Sequence, residues 1–296
     1  MYTMLISAEE FKALRSSGAR QMVFDCSFEL MNPAAGERAY RSAHIPGAVY
    51  AHLDTALSDP GVIEADGTHH PHPDAASGGR HPLPSREKFA MWLSSVGFAN
   101  DMQAVVYDRN GSVYCGRLWW MLKWAGHDAV AVLDGGLQAW QASGGDVTDA
   151  VEPSHFQSNF ALGPELRRLV TVDEVVQHLG QGNQTLIDAR AGARFRGEVE
   201  PLDPVAGHIP GALNRPGAEN MTPDGRFKPA QQLRNEFEKV LGGRDAASVV
   251  HHCGSGVSAV PNIIAMELAG FGATALFAGS WSEWCGDASR PVATGA

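Results

Sequence analysis

The chain carries the same pattern twice. Ser7-Ala8-Glu9-Glu10 opens a helix with the spacing of a capping box. Met22-Val23-Phe24-Asp25 follows as a strand, and then the turn His44-Ile45-Pro46-Gly47-Ala48. Thr171-Val172-Asp173-Glu174, Thr185-Leu186-Ile187-Asp188 and His208-Ile209-Pro210-Gly211-Ala212 repeat that order. Thr171 and His208 each lie 164 residues beyond their counterparts, Ser7 and His44. Farther on, Ala104-Val105-Val106-Tyr107-Asp108 matches Ser248-Val249-Val250-His251-His252. Gly135-Gly136-Leu137-Gln138-Ala139-Trp140 matches Gly279-Ser280-Trp281-Ser282-Glu283-Trp284. The offset there has shrunk to 144, because the first copy has a longer middle loop. A repeat of this length is not a solenoid unit. Short strands alternating with helices predict an α/β chain of two tandem domains, each a parallel sheet flanked by helices. The expected division is 1–145, a linker without periodicity over 146–167, and 168–296.

Composition narrows the class. At 296 residues, 44% hydrophobic and 19% charged, the chain suits two globular domains. A formal net charge of −10 argues against nucleic acid or an anionic membrane as partner. No basic-then-apolar leader and no membrane-length apolar run stand in the sequence. Cys26, Cys115, Cys253 and Cys285 are widely spaced, which is neither a disulfide framework nor a zinc pattern. A reducing, cytoplasmic setting is expected, with a monomer and no cofactor.

One cysteine stands apart. Cys253 lies in His251-His252-Cys253-Gly254-Ser255-Gly256-Val257-Ser258-Ala259, after a β-type run and before Ile263-Ile264-Ala265-Met266 at helical spacing. Such a strand-to-helix turn aims backbone N–H groups at one point, with the positive end of a helix dipole behind them. A thiol there ionises readily, and the thiolate is a nucleophile. At an offset of 144 its counterpart is Arg109, so the first copy has the frame without the nucleophile. That copy is expected to support a shared cleft, reached by His44 and Arg109. His251 and His252 alternate faces on a strand and cannot share a metal ion. His69, His70, His72 and His81 read as a solvated loop.

The paired His-Ile-Pro-Gly-Ala turns, the Cys253 loop and Gly279-Ser280-Trp281-Ser282-Glu283-Trp284 resemble tandem-domain sulfurtransferases of the rhodanese superfamily, over essentially the whole chain. The Cys-Gly-Ser-Gly-Val loop is similar to the 3-mercaptopyruvate branch, since the thiosulfate branch carries basic residues after the cysteine. The resemblance implies transfer of a sulfane sulfur from a small-molecule donor through a Cys253 persulfide, to cyanide or to a thiol such as a thioredoxin-like protein. It implies substrate contacts from Arg194 and from the loop Gly254, Gly256, Val257 and Ser258. It also implies a proton relay of Ser255 and His44, whose acidic member has no match. The family's second arginine falls on Asp203, and Arg109 is the substitute considered. Thiosulfate as donor and a non-enzymatic persulfide carrier are the alternatives. Phosphatase chemistry is excluded, because the phosphate-gripping position six residues past the cysteine is Ala259.

Overall fold

The computed structural model describes residues 1–63, 69–70 and 72–296. In chain order the first elements are β1 (Leu5–Ile6), α1 (Ala8–Ser16), β2 (Gln21–Asp25), α2 (Ala34–Ser42), β3 (Ala48–Tyr50), β4 (Val62–Ile63) and β5 (His69–His70). Next come α3 (Arg86–Ser95), β6 (Gln103–Tyr107), α4 (Val113–Trp124), β7 (Val130–Leu133) and α5 (Gly136–Ala142). The second repeat contributes α6 (Val172–His178), β8 (Thr185–Asp188), α7 (Gly192–Phe195), β9 (Leu213–Asn214) and α8 (Ala230–Leu241). It ends with β10 (Val249–His252), α9 (Val260–Leu268), β11 (Ala275–Leu276) and α10 (Ser280–Trp284).

Contacts divide the chain into two units. One comprises Met1–Ser58, Pro84–Leu166 and Met221–Phe227. The other comprises Asp59–Leu83, Arg167–Asn220 and Lys228–Ala296. The change of unit at Leu166 falls near the expected boundary, with one correction. The described residues of 59–83, assigned from sequence to the first copy, pack with the second. The linker segment lies along the first unit: Thr148 bridges His44, and the amides of Gly163 and Leu166 bond to the carbonyls of Ala125 and Lys123.

In the first unit the described strands form a parallel sheet in the order β1-β7-β6-β2-β3. Phe11, Val23, Val105, Leu133 and Trp140 pack its core. In the second unit the order is β11-β10-β8-β9, again parallel, over a core that includes Val250, Phe195, Trp281 and Trp284. Both expected capping boxes form, Ser7 with Glu10 and Thr171 with Glu174.

The strand ladders fix which residues of the two copies are equivalent. Asp25 pairs with Tyr107, and the Cys26 amide donates to the Tyr107 carbonyl. Asp188 pairs with His252, and the Ala189 amide donates to the His252 carbonyl. Tyr107 and His252 therefore correspond, and so do the residues after them, Asp108 and Cys253. A second bond agrees: the Leu137 amide donates to the Asp108 carbonyl as the Trp281 amide donates to that of Cys253. The structural twin of the cysteine is Asp108, not Arg109.

Candidate active site

β10 ends at His252, residues 253–259 form the turn, and α9 begins at Val260. Cys253 is only 1% exposed. Its amide donates to Ser280 Oγ at 3.1 Å, and its carbonyl accepts from the Trp281 amide at 3.0 Å. The Ser282 amide donates to the Gly254 carbonyl at 2.9 Å. Gly256 has φ +74°, and a Cβ there would collide with the backbone of Ala278, so both conformation and space call for glycine. Ser280 sits at φ +57° in the left-handed region, which costs a non-glycine residue roughly 1–2 kcal/mol. The first copy holds Gly136 at the matching place, with φ +59°. A serine is tolerated in the second copy where its hydroxyl receives the Cys253 amide and donates to the Phe277 carbonyl at 2.9 Å. Val257 is buried and Ser258 half-buried on the same turn.

Two arginines flank Gly254. A Cβ on that glycine would lie 3.2 Å from Arg80 Nη2 and 3.5 Å from Arg194 Nη1. Arg194, on α7, donates to Glu200 at 2.6 Å and to Asp203 at 3.2 Å, and Arg80 donates to the other oxygen of Asp203. Burial opposes the charge on Glu200, but the hydrogen bond from Arg194 and the amides of Leu202 and Asp203 outweigh it and hold the carboxyl below its usual range. Asp203, where a second arginine was expected, thus couples two arginines to each other. The second cation near the loop is Arg80. The expected use of Arg109 is corrected: its guanidinium donates to Asp25 and Ser27 and to the carbonyls of Ala39 and Ala43. Arg190 is buried against Asp188 and over the Trp281 ring, and Arg196 pairs with Glu198 at the surface.

Ser255 is buried, and its Oγ lies 2.7 Å from His81 Nδ1, where the hydroxyl can donate. The histidine that meets Ser255 is therefore His81, in place of the expected His44. His44 has both ring nitrogens engaged inside the first unit, Nδ1 at the Tyr40 carbonyl and Nε2 at Glu152. Nor is His81 a solvated loop residue, since it is 6% exposed. The side chains of His69 and His70 lie outside the described residues. Arg80 and His81 were missed because they sit in the first copy by sequence. The surplus length of that middle loop was the available signal.

The first unit's turn shows what becomes of the same frame without the thiol. Asp108, 1% exposed, accepts from the amides of Asn110, Ser112, Tyr114 and Cys115 at 2.8–3.0 Å. The backbone cradle at the start of α4 is filled by the chain's own carboxylate. A cavity of about 460 Å³ beside it is lined by Asp108, Arg109, Gly136 and residues 223–226, and none of these carries a thiol. Cys26 and Cys115 are fully buried, and burial pushes both thiols well above their ordinary range. Burial also raises Cys285.

The rhodanese-like domain family matches residues 7–143 and 171–287. A Pseudomonas aeruginosa protein named "Probable 3-mercaptopyruvate sulfurtransferase" is 43% identical over 298 residues, covering 98% of each chain. A thiosulfate sulfurtransferase of Mus musculus is 30% identical over 293 residues, 96% of this chain and 92% of that one. The 3-mercaptopyruvate sulfurtransferase structure from Leishmania major superposes with a TM-score of 0.77 at 27% identity, covering 98% of this chain and 76% of that one.

Proposed function

We propose that this chain, which belongs to the rhodanese-like domain family, is a sulfurtransferase whose donor is 3-mercaptopyruvate. The observation that carries the choice of donor is the Ser255–His81 pair beside Cys253. Mercaptopyruvate leaves as a carbanion equivalent, the enolate of pyruvate, and that carbon must be protonated. Thiosulfate leaves as sulfite, which needs no proton on carbon, and the pair would have no task.

The proposed first step is attack of the Cys253 thiolate on the donor sulfur. The S–S bond forms, the donor C–S bond breaks, and its electron pair passes to the methylene carbon. Ser255, with His81 behind it, supplies the proton that turns the enolate into pyruvate, and Cys253 is left as a persulfide. Arg80 and Arg194 grip the donor carboxylate, the fork geometry of guanidinium matching two oxygens. An acceptor thiolate then attacks the outer sulfur, takes it as a new persulfide and returns Cys253 to a thiolate; cyanide would leave as thiocyanate. The acceptor we propose is a small or protein thiol of the thioredoxin-like kind.

Side-by-side kinetics of the purified protein with the two donors test the reading. We expect a higher kcat/KM for 3-mercaptopyruvate, read as pyruvate release with a thiol acceptor. A higher value for thiosulfate with cyanide would remove the donor assignment.

A further inference from the structure

Arg80 and His81 belong to a strap, residues 77–83, that reaches the Cys253 turn from far away in sequence. Something must hold that strap, and the C-terminal motif does. The Arg80 amide donates to Ser282 Oγ at 3.0 Å. The Glu283 carboxylate accepts from the Gly78 amide. A Cβ on Gly78 would lie 2.5 Å from Glu283 Oε1, and one on Gly79 would lie 2.5 Å from the Gly279 carbonyl and 2.7 Å from Ser282 Oγ. Gly79 also has φ +84°. At Gly279 the same carboxylate fills the space a Cβ would need. Three glycines thus make room for one hydroxyl and one carboxylate, which together bracket the strap.

The duplication supplies an internal control. Gly279 and Trp284 have counterparts in Gly135 and Trp140, and each tryptophan packs in the core of its own copy. Ser282 and Glu283 correspond to Gln138 and Ala139. Ala139 has no acceptor to offer a strap. The bracket is confined to the copy that holds the nucleophile, as Cys253 itself is. Neither Ser282 nor Glu283 is bonded to Cys253 by its side chain.

We propose that Ser282 and Glu283 are positioning residues that hold the 77–83 strap so that Arg80 stays beside Gly254 and His81 stays on Ser255. The inference rests on Arg80 gripping an anionic donor, which both candidate donors are. Burial raises the Glu283 carboxyl, and Arg290 and the Gly78 amide pull it back. An amide is therefore a close substitute for its acceptor role.

The test is a double-mutant cycle on the full chain, run with whichever donor the wild type turns over faster. Glu283→Ala is expected to raise KM about tenfold or more, and Glu283→Gln to restore it to within about threefold of wild type. In an Arg80→Ala background, Glu283→Ala should add less than about threefold, because its effect runs through Arg80. Ser282→Ala, which removes the acceptor of the Arg80 amide, should raise KM about threefold or more, and it reads the same strap if Glu283→Ala does not fold. Wild-type KM in folded Ser282→Ala and Glu283→Ala, or multiplication of the Arg80 and Glu283 effects, would overturn the proposal. A wild type that prefers thiosulfate sinks the donor assignment alone and leaves this cycle readable.

Discussion

Ser255 and Cys253 are two positions apart on one turn, yet the side chain that meets the serine hydroxyl is His81, brought in by the strap. Exchanging either member of that pair for alanine should lower kcat by about a hundredfold or more, the usual range for loss of a positioned proton donor. His44→Ala should leave kcat within a few-fold, because its ring bonds to Tyr40 and Glu152. Steady-state kinetics on the three variants separates the two histidines, and an His44 variant as slow as the His81 variant would return the relay to His44. Sequence singled out Cys253 and Gly256 through the local turn they sit in, and Ser255 and Arg194 through the family resemblance that the turn carries. Arg80 and His81 escaped it. Their partners are more than a hundred residues away, and no local periodicity announces which of many loop residues will be buried.

At the level of the turn and its helix, the two copies spend the same backbone cradle differently. In the second the turn carries a buried cysteine. In the first, four amides at the start of α4 converge on Asp108. Ser112 precedes that helix without capping it by its side chain, so Asp108 does the capping from five residues upstream. Asp108→Ala should destabilise the first unit by about 2–4 kcal/mol, since buried donors are left unsatisfied. Urea unfolding followed by tryptophan fluorescence measures it, and a variant with wild-type midpoint would contradict the capping role. The capping boxes and the strand–helix order of both copies were readable from spacing alone. The equivalence of Asp108 with Cys253 was not: an alignment by glycine offset places it one residue off, and only ladder register corrects a slip of that size.

For the molecule as a whole, the buried histidines of β10 link stability to acidity. His251 and His252 are fully buried, and the ring nitrogens of His251 have no hydrogen-bond partner among the described residues. Burial, with repulsion from His252, pushes His251 from 6.5 down to about 3. The unfolded chain takes up this proton near pH 6.5 and the folded chain only near pH 3. Stability from this source is whole above about pH 6.5 and is lost as pH falls toward 3. Between pH 7 and 5 the loss comes to about 2 kcal/mol. Denaturant midpoints at the two pH values should converge in His251→Leu, and an undiminished acid sensitivity in that variant would refute the assignment. The Asp108 seat has a consequence on the same scale. Doubling a scaffold ordinarily doubles what it can hold. Here one seat is occupied by a tethered occupant, present at an effective concentration that a dissolved competitor does not match. The duplicated protein should therefore bind its small anionic ligand with a stoichiometry of one.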